Sequence, residues 1–184
     1  MYVQTRTRLL DSAVVDDFVS VFVFEKEGTF QTLAHALKYE GFQSAGRMIG
    51  GVLGEQMNEW GIGADAIVPV PLHRAKHRER GFNQAESIAR GISDRTGWPV
   101  VTGVLERTRP TQTQTKLDAV ERQKNVEGAF AVRKKMHGLG GKTCIIVDDV
   151  ITTGATIVSC AHALRSAGAS TIIASSAALA EYNP

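Results

Sequence analysis

Apolar residues along the chain fall into short continuous runs, typical of buried strands, and longer stretches with helical spacing. The predicted strands cover residues 18–24, 66–70, 98–101, 129–132, 143–147 and 170–174. The predicted helices cover residues 29–38, 43–60, 83–97, 118–125 and 154–167. Strand, helix and strand follow one another twice after residue 65, which predicts βαβ units, a parallel sheet and right-handed crossovers.

Two of the predicted helices have features that a structure can test. Asn83 followed by Glu86 is a variant of the capping box, and Gly97 is expected to end that helix. The helix over residues 43–60 is expected to bury a stripe formed by Met48, Ile49, Val52, Leu53 and Met57.

The fold class predicted from this pattern is α/β, with a central parallel sheet and helices on both faces. A chain of 184 residues that is 43% hydrophobic is long enough for one core and short for two. We therefore predict a single domain, with a small N-terminal αβ layer over residues 1–62 and the core over residues 63–184. The strand over residues 143–147 has four consecutive apolar residues and is predicted to be central.

Charge and cysteine content narrow the class of protein. Residues 71–135 hold 14 Lys and Arg against 7 Asp and Glu, although the whole chain has a net charge of only +2. Such a basic region attracts a phosphate-rich small molecule or a nucleic acid, and a solvated surface accounts for part of it. Cys144 and Cys160 lie in apolar segments, and no signal peptide or membrane-spanning run is present, which predicts a cytoplasmic protein.

The segment IIVDDVITTGAT, residues 145–156, carries the strongest functional signal. Asp148 and Asp149 fall at the carboxyl end of the predicted strand, where α/β sheets bind ligands, and suit either two ribose hydroxyls or a divalent cation. Hydroxyls and consecutive backbone N–H groups at the start of the next helix suit a phosphate. The predicted phosphate-binding residues are Val150, Ile151, Thr152, Thr153, Gly154, Ala155 and Thr156.

VDDVITTGAT resembles the phosphoribosyl-pyrophosphate motif of the type I phosphoribosyltransferases. The resemblance implies the fold of those enzymes, a 5-phosphoribosyl-1-pyrophosphate (PRPP) ligand, Mg²⁺ as the cofactor and a homodimeric assembly. It also implies that Asp148 and Asp149 bind the ribose hydroxyls.

A wider resemblance links the chain to the ComF family of competence-associated proteins. It is carried by VPVPLHRAKHRERGFNQAESIAR at residues 68–90, Arg122, NVEGAF at residues 125–130 and the Asp pair. Members of that family commonly begin with a four-cysteine zinc module, whereas this sequence has no cysteine before Cys144. Either this branch lacks the module, or the chain starts downstream of it.

Two polar segments are candidates for further ligand contacts. The resemblance implies that the basic loop over residues 71–80 binds pyrophosphate through Leu72, His73 and Arg74. Residues 106–116 have no aliphatic or aromatic side chain and are expected to form a mobile loop, either a lid over the sugar or a surface loop. The arginines expected to serve the lid or a nucleic-acid backbone are Arg78, Arg80, Arg107, Arg109 and Arg122.

Two other kinds of site are not supported. His73 and His77 have a spacing that could chelate a metal on a helix, but no third ligand is fixed nearby, so a zinc site is rejected. Residues 141–143 are similar to the end of a P-loop, but Met136 stands where the first glycine is needed.

Two functions are therefore expected from the resemblances. One is a Mg²⁺-dependent phosphoribosyltransferase with an unknown acceptor. The other is a non-catalytic accessory protein of DNA uptake that binds single-stranded DNA or competence proteins.

Overall fold

The computed structural model describes residues 7, 9–24, 43–72, 74–108, 128–133 and 138–180, and the elements below are numbered within these ranges. The strands are β1 (Asp17–Phe24), β2 (Ala66–Pro69), β3 (Leu105–Arg107), β4 (Phe130–Val132), β5 (Thr143–Ile151) and β6 (Thr171–Ala180). The helices are α1 (Gln43–Glu59), α2 (Arg74–Arg80), α3 (Gln84–Thr96) and α4 (Ala155–Ser166). The predicted helices over residues 29–38 and 118–125 lie outside the described residues.

The main sheet has the strand order β1-β6-β5-β2, and its strand pairs are all parallel. The predicted strand over residues 98–101 is present only as a single parallel bridge between Val100 and Ile67. β1, from the predicted N-terminal layer, is a strand of this same sheet and pairs with β6. The predicted α/β fold with a central parallel sheet is confirmed.

The two faces of the sheet are covered by different elements. On one face α1 and α3 pack over Ile67, Ile145 and Val147, all fully buried. On the other face α4 and the antiparallel β3–β4 ribbon pack over Cys144 and Ile146. Successive residues of a strand project to opposite faces, so β5 supplies side chains to both cores, as a central strand must.

β5 and β6 both continue past the predicted strand ends. β5 runs on to Ile151 and β6 to Ala180, because each has a neighbour that accepts its backbone hydrogen bonds in register. Ser176 of β6, for example, is opposite Asp148 of β5 on one side and Ser20 of β1 on the other. Small and polar residues such as serine have little strand propensity of their own, and pairing between strands overrides it.

The predicted apolar stripe of α1 is partly wrong. Ile49, Leu53 and Met57 are buried, but Met48 is 74% exposed and Val52 is 49% exposed. The rest of the buried face consists of glycines, which allow the backbones of α1 and α3 to come close together; these are Gly46, Gly50 and Gly54. The stripe was misplaced because it was located by large apolar side chains, and glycine has no side chain to mark the buried face.

Two predicted loops are partly regular structure. Residues 74–80 form α2 instead of a loop, because arginine, alanine, lysine and glutamate favour helix even without an apolar stripe. The first residues of the predicted 106–116 loop belong to β3, since Glu106 and Arg107 pair with Ala131 and Phe130 of β4. Thr108 follows β3 and donates its N–H to Ala129, and residues 109–116 lie outside the described part of the chain.

The predicted N-cap and end of α3 are confirmed, but the capping box is not complete. Asn83 caps the helix by accepting a hydrogen bond from the N–H of Ala85 at 3.2 Å, and Gly97 ends it at φ 76°. Glu86, expected to complete a capping box, accepts instead from Arg90 at 2.6 Å.

Within the described residues, no helix is both long enough and apolar enough to cross a membrane.

Candidate functional site

The carboxyl end of β5 brings the two acidic residues to the edge of the sheet between two neighbouring strands. On one side the N–H of Val70, just past β2, donates to Val147 at 2.8 Å. On the other side Asp148 is opposite Ser176 of β6. Both carboxylates are half-buried, and they lie within the strand instead of beyond it.

Backbone hydrogen bonds hold both carboxylates. Oδ1 of Asp148 accepts from the N–H of Asp149 at 2.9 Å, and Oδ1 of Asp149 accepts from the N–H of Val150 at 2.8 Å. Since adjacent strand residues alternate, Asp148 projects to the same face as Cys144 and Ile146, the face with α4 and the ribbon.

Asp148 shares its face with a cation from the ribbon. Arg107 of β3 is half-buried, and its guanidinium carbon lies 5.2 Å from the ring centroid of Phe130. Burial lowers the pKa of Arg107, and the negative charge of Asp148 opposes that effect. Burial also raises the pKa of Cys160 well above its usual value, and the charge of Asp148 adds to the increase. Arg107, Asp148 and Cys160 thus form one electrostatic group, in which the thiol stays neutral.

The loop from β5 into α4 has the features of a phosphate-binding turn. Thr152 and Thr153 are half-buried, and Gly154 is the N-cap of α4 at φ 78°, in the left-handed region. Oγ1 of Thr153 accepts from the N–H of Ala155 at 3.5 Å, and the helix begins where Val158 donates to Gly154. First-turn N–H groups of a helix lack intrahelical acceptors and point outward, so this turn can bind an anion.

The N-terminal segment packs behind this turn. Leu9 is fully buried, and a Cβ added at Gly154 would lie only 2.7 Å from its Cδ2 atom. Arg165 of α4 holds the same segment by an ion pair with Asp16 at 2.5 Å and a hydrogen bond to the carbonyl of Val14 at 3.3 Å. Leu9 therefore closes one side of the turn.

The segment after β2 lies beside the acidic residues. Asn83 donates from Nδ2 to the carbonyl of Val70 at 2.9 Å, which connects this segment to the start of α3. Leu72 is half-buried at the end of the segment. In α2, Arg78 is exposed and Arg80 donates to Gln84 at 3.4 Å.

The predicted site residues do not all come together in the described structure. The Asp pair and residues 150–156 form one continuous segment from β5 into α4, and the bond from Val70 to Val147 brings the start of the Leu72 segment to the same edge. Arg107 is a half-buried residue of strand β3, on the ribbon that packs against the α4 face, and not part of an irregular loop. Arg74 is the first residue of α2, but its side chain is not described. Three further predicted residues lie outside the described part of the chain: His73, Arg109 and Arg122.

Sequence reasoning missed two contacts that support the site. Leu9 behind Gly154 and the bond from Asn83 to Val70 depend on tertiary packing, which no local pattern reports. Arg107 was named as a candidate for the lid or a nucleic-acid backbone, but its place in a strand and the influence of the Asp148 charge on its pKa were not anticipated.

Comparisons with known proteins agree with this geometry. Residues 64–182 match the sequence profile of the Phosphoribosyl transferase domain family. Competence protein F of Haemophilus influenzae is 34% identical over 104 residues, which cover 56% of this chain and 45% of that protein. DNA utilization protein YhgH of Salmonella typhi is 37% identical over 108 residues, which cover 59% of this chain and 46% of that protein.

Competence protein ComFC of Bacillus subtilis is 31% identical over 109 residues, which cover 59% of this chain and 42% of that protein. The chain thus matches less than half the length of each of these relatives. Among solved structures, glutamine phosphoribosylpyrophosphate amidotransferase from B. subtilis, complexed with ADP and GMP, superposes with a TM-score of 0.53 at 22% identity. That match covers 78% of this chain and 30% of the other, and it shows the fold alone.

The predicted type I phosphoribosyltransferase-like fold and the resemblance to ComF proteins are both confirmed by these matches. The family profile covers the whole candidate site, from β2 through the acidic residues to α4 and β6. The chain therefore belongs to the Phosphoribosyl transferase domain family, and within it is similar to competence proteins of the ComF type.

Proposed function

We propose that this chain binds PRPP with Mg²⁺ at the carboxyl end of β5 and transfers the phosphoribosyl group to a nitrogenous acceptor. One observation carries the proposal: β5 delivers two carboxylates directly into a glycine-containing turn at the start of α4. A ribose 5-phosphate has the matching order of groups, with two hydroxyls for the acids and a phosphate for the turn.

Each part of the turn then has a role in binding. Asp148 and Asp149 accept hydrogen bonds from the ribose hydroxyls, and backbone bonds to Asp149 and Val150 hold their carboxylates in place beforehand. Residues 152–156 bind the 5-phosphate through hydroxyls and backbone N–H groups. Pyrophosphate is assigned to Leu72, His73 and Arg74, which follow the neighbouring strand β2.

The carboxylates fit a Mg²⁺ ion that is shared with the ligand. Among the described residues, no group of three or more His, Cys, Asp or Glu side chains comes together to hold a metal. Mg²⁺ commonly binds through one or two carboxylates together with substrate oxygens and water, so Asp148 and Asp149 suffice as protein ligands. When bound, the ion offsets the charge of the departing pyrophosphate.

In the proposed reaction, the bond from C1 of the ribose to the pyrophosphate oxygen breaks, and a bond from the acceptor nitrogen to C1 forms. Pyrophosphate leaves with the bonding electron pair, and the acceptor loses a proton to solvent. The chain supplies position and charge: the turn fixes the sugar by its phosphate, and the carboxylates fix its ring. Among the described residues no base is assigned to the acceptor.

Turnover is tested by release of pyrophosphate from PRPP in the presence of Mg²⁺ and a panel of nucleobases and amines. We expect release above the uncatalysed rate with at least one acceptor. A variant with both Asp148→Asn and Asp149→Asn is expected to lose at least about 100-fold in rate, since it loses both ribose contacts and the metal ligands. Binding without release for every acceptor would contradict the transferase proposal.

A second function is favoured by the names of the relatives and by a basic surface. Two of the similar proteins are called competence proteins and a third a DNA utilization protein. Helix α2 exposes His77 and Arg78, with Lys76 half-buried beside them. We propose as the alternative a non-catalytic role in DNA uptake, in which α2 contacts single-stranded DNA or a competence partner.

That alternative predicts DNA binding that depends strongly on salt. Affinity for a single-stranded oligonucleotide should fall at least about tenfold between 50 and 200 mM salt, because released counterions drive such binding. Arg78→Gln should lower the affinity for the oligonucleotide and leave the affinity for PRPP unchanged. Affinity that does not change with salt would count against the alternative.

The remaining parts of the proposal concern assembly and location. We propose a homodimer, which sedimentation at micromolar concentration measures, and a lone monomer would contradict it. We also place the protein in the reducing cytoplasm. The support is that Cys144 and Cys160 are buried free thiols, and that burial raises the pKa of each.

A further inference from the structure

Arg107 is a half-buried cation on the ribbon that packs against the α4 face of the sheet. Its strand, β3, packs with β4 on the α4 face, where Leu105 and Phe130 are buried in the same core as Ile151 and Cys160. Arg107 is opposite Phe130 in the ribbon, and its guanidinium lies over that ring at 5.2 Å. The side chain is thus fixed by packing on rigid elements instead of extending from a loop.

Asp148 projects to the face of the sheet on which this ribbon packs, as Cys144 and Ile146 do, and its negative charge opposes the lowering of the pKa of Arg107 by burial. Arginine suits this position because it remains charged when partly buried and its flat group stacks on an aromatic ring. Lysine would keep the charge but would lose both the planar contact and the fork of donors. The ribbon therefore provides one fixed positive charge beside two carboxylates.

We propose that Arg107 is a positioning residue for Asp148 and sets the net charge of the site. Without it, two adjacent carboxylates would repel the phosphates of an incoming ligand and would favour a bare divalent cation. With it, the pair carries one net negative charge instead of two, so an anionic ligand is admitted together with its cation. The inference rests on the proposed function for the identity of the ligand, but the pairing of Arg107 with Asp148 does not.

Arg133 provides a matched control on the same ribbon. It follows β4 directly and pairs with Glu106 at 3.3 Å, with both side chains about half exposed (53% and 45%). Arg133→Gln removes the same charge from the same ribbon, but its ion pair lies in solvent. Exposed ion pairs contribute little to stability. Comparison with Arg133→Gln therefore separates a local role of Arg107 from a general loss of positive charge.

The first part of the test uses no ligand. Melting temperatures are measured for wild type, Arg107→Gln, Asp148→Asn and the double variant. We expect the effect of Arg107→Gln to shrink clearly in the Asp148→Asn background, because the partner is already neutral there. Strictly additive shifts in melting temperature would overturn the pairing.

The second part measures two affinities that are expected to move in opposite directions. Arg107→Gln should weaken PRPP binding at saturating Mg²⁺ by at least about tenfold, and should tighten binding of Mn²⁺ alone by about threefold or more. Arg107→Lys should give intermediate values, and Arg133→Gln should stay within about twofold of wild type. A purely structural role would weaken both ligands together, and that result would overturn the proposal.

The two proposals fail in distinguishable ways. If wild type does not bind PRPP, the proposed function fails, while the melting cycle and the Mn²⁺ titration still decide the role of Arg107. If wild type binds PRPP and Arg107→Gln binds it equally well, the inference about Arg107 fails and the proposed function stands.

Discussion

Gly154→Ala is expected to weaken binding of PRPP and of ribose 5-phosphate by at least about tenfold, and to cost about 2–3 kcal/mol of stability. Gly154 has a φ of 78°, and an added Cβ would lie 2.7 Å from Cδ2 and 3.2 Å from Cγ of Leu9. Either Leu9 leaves its buried position, or the turn moves away from Leu9. Both changes disturb the N–H groups that would bind the phosphate of the proposed ligand.

Gly97→Ala is the matched control for this prediction. Gly97 has nearly the same φ, 76°, at the end of α3, but nothing lies within 4 Å of an added Cβ. The Gly97→Ala substitution should therefore lower the free energy of unfolding by about 1 kcal/mol, from backbone strain alone, and leave ligand affinity unchanged. Urea unfolding and calorimetric titration measure the two effects. Equal losses of affinity in both variants would contradict the role assigned to the turn.

Gly50→Ala is expected to have the largest effect on stability, about 2–4 kcal/mol, because it forces α1 away from α3. An added Cβ would overlap the carbonyl oxygen of Ile88 and lie 2.9 Å from Cα of Gly91. These are backbone atoms of the facing helix and cannot rotate away. The helices are also joined across the crossing by Arg47 and Asp94 at 2.5 Å, so the shift would break that ion pair.

Gly51→Ala, one residue further along α1, is the control. Its added Cβ would have only Nε of Arg95 nearby, at an ordinary 3.6 Å. Alanine favours helix over glycine, so this variant should gain about 0.5–1 kcal/mol. Free energies of unfolding in urea test the pair. Similar values for Gly50→Ala and Gly51→Ala would show that the close crossing is absent in solution.

The sequence predicts the acidic turn well because its features are local. An apolar run, two acids and a threonine- and glycine-containing turn follow one another directly, and the structure keeps that order from β5 into α4. The strand order and the length of β6 could not be predicted in this way. They depend on pairing between distant segments, as where Ser176 meets both Ser20 and Asp148.

The errors have physical reasons that concern particular residues. Met48 and Val52 were assigned to the core by size, but glycine contact between two helices buries the other side of α1. Helix α2 was expected to be loop, because a helix without an apolar stripe gives no periodic signal. Arg107 was placed in a mobile loop by composition, although its pairing with Phe130 puts it in strand β3.

The central claim is that the Asp pair and the turn after it form a site for PRPP with Mg²⁺. Calorimetric titration of PRPP into wild type, with and without Mg²⁺, tests it most directly, alongside the variant with Asp148→Asn and Asp149→Asn. We expect binding that requires Mg²⁺ and that the double variant loses while its melting temperature shows it still folded. If wild type does not bind PRPP, or the double variant binds it equally well, the claim is wrong.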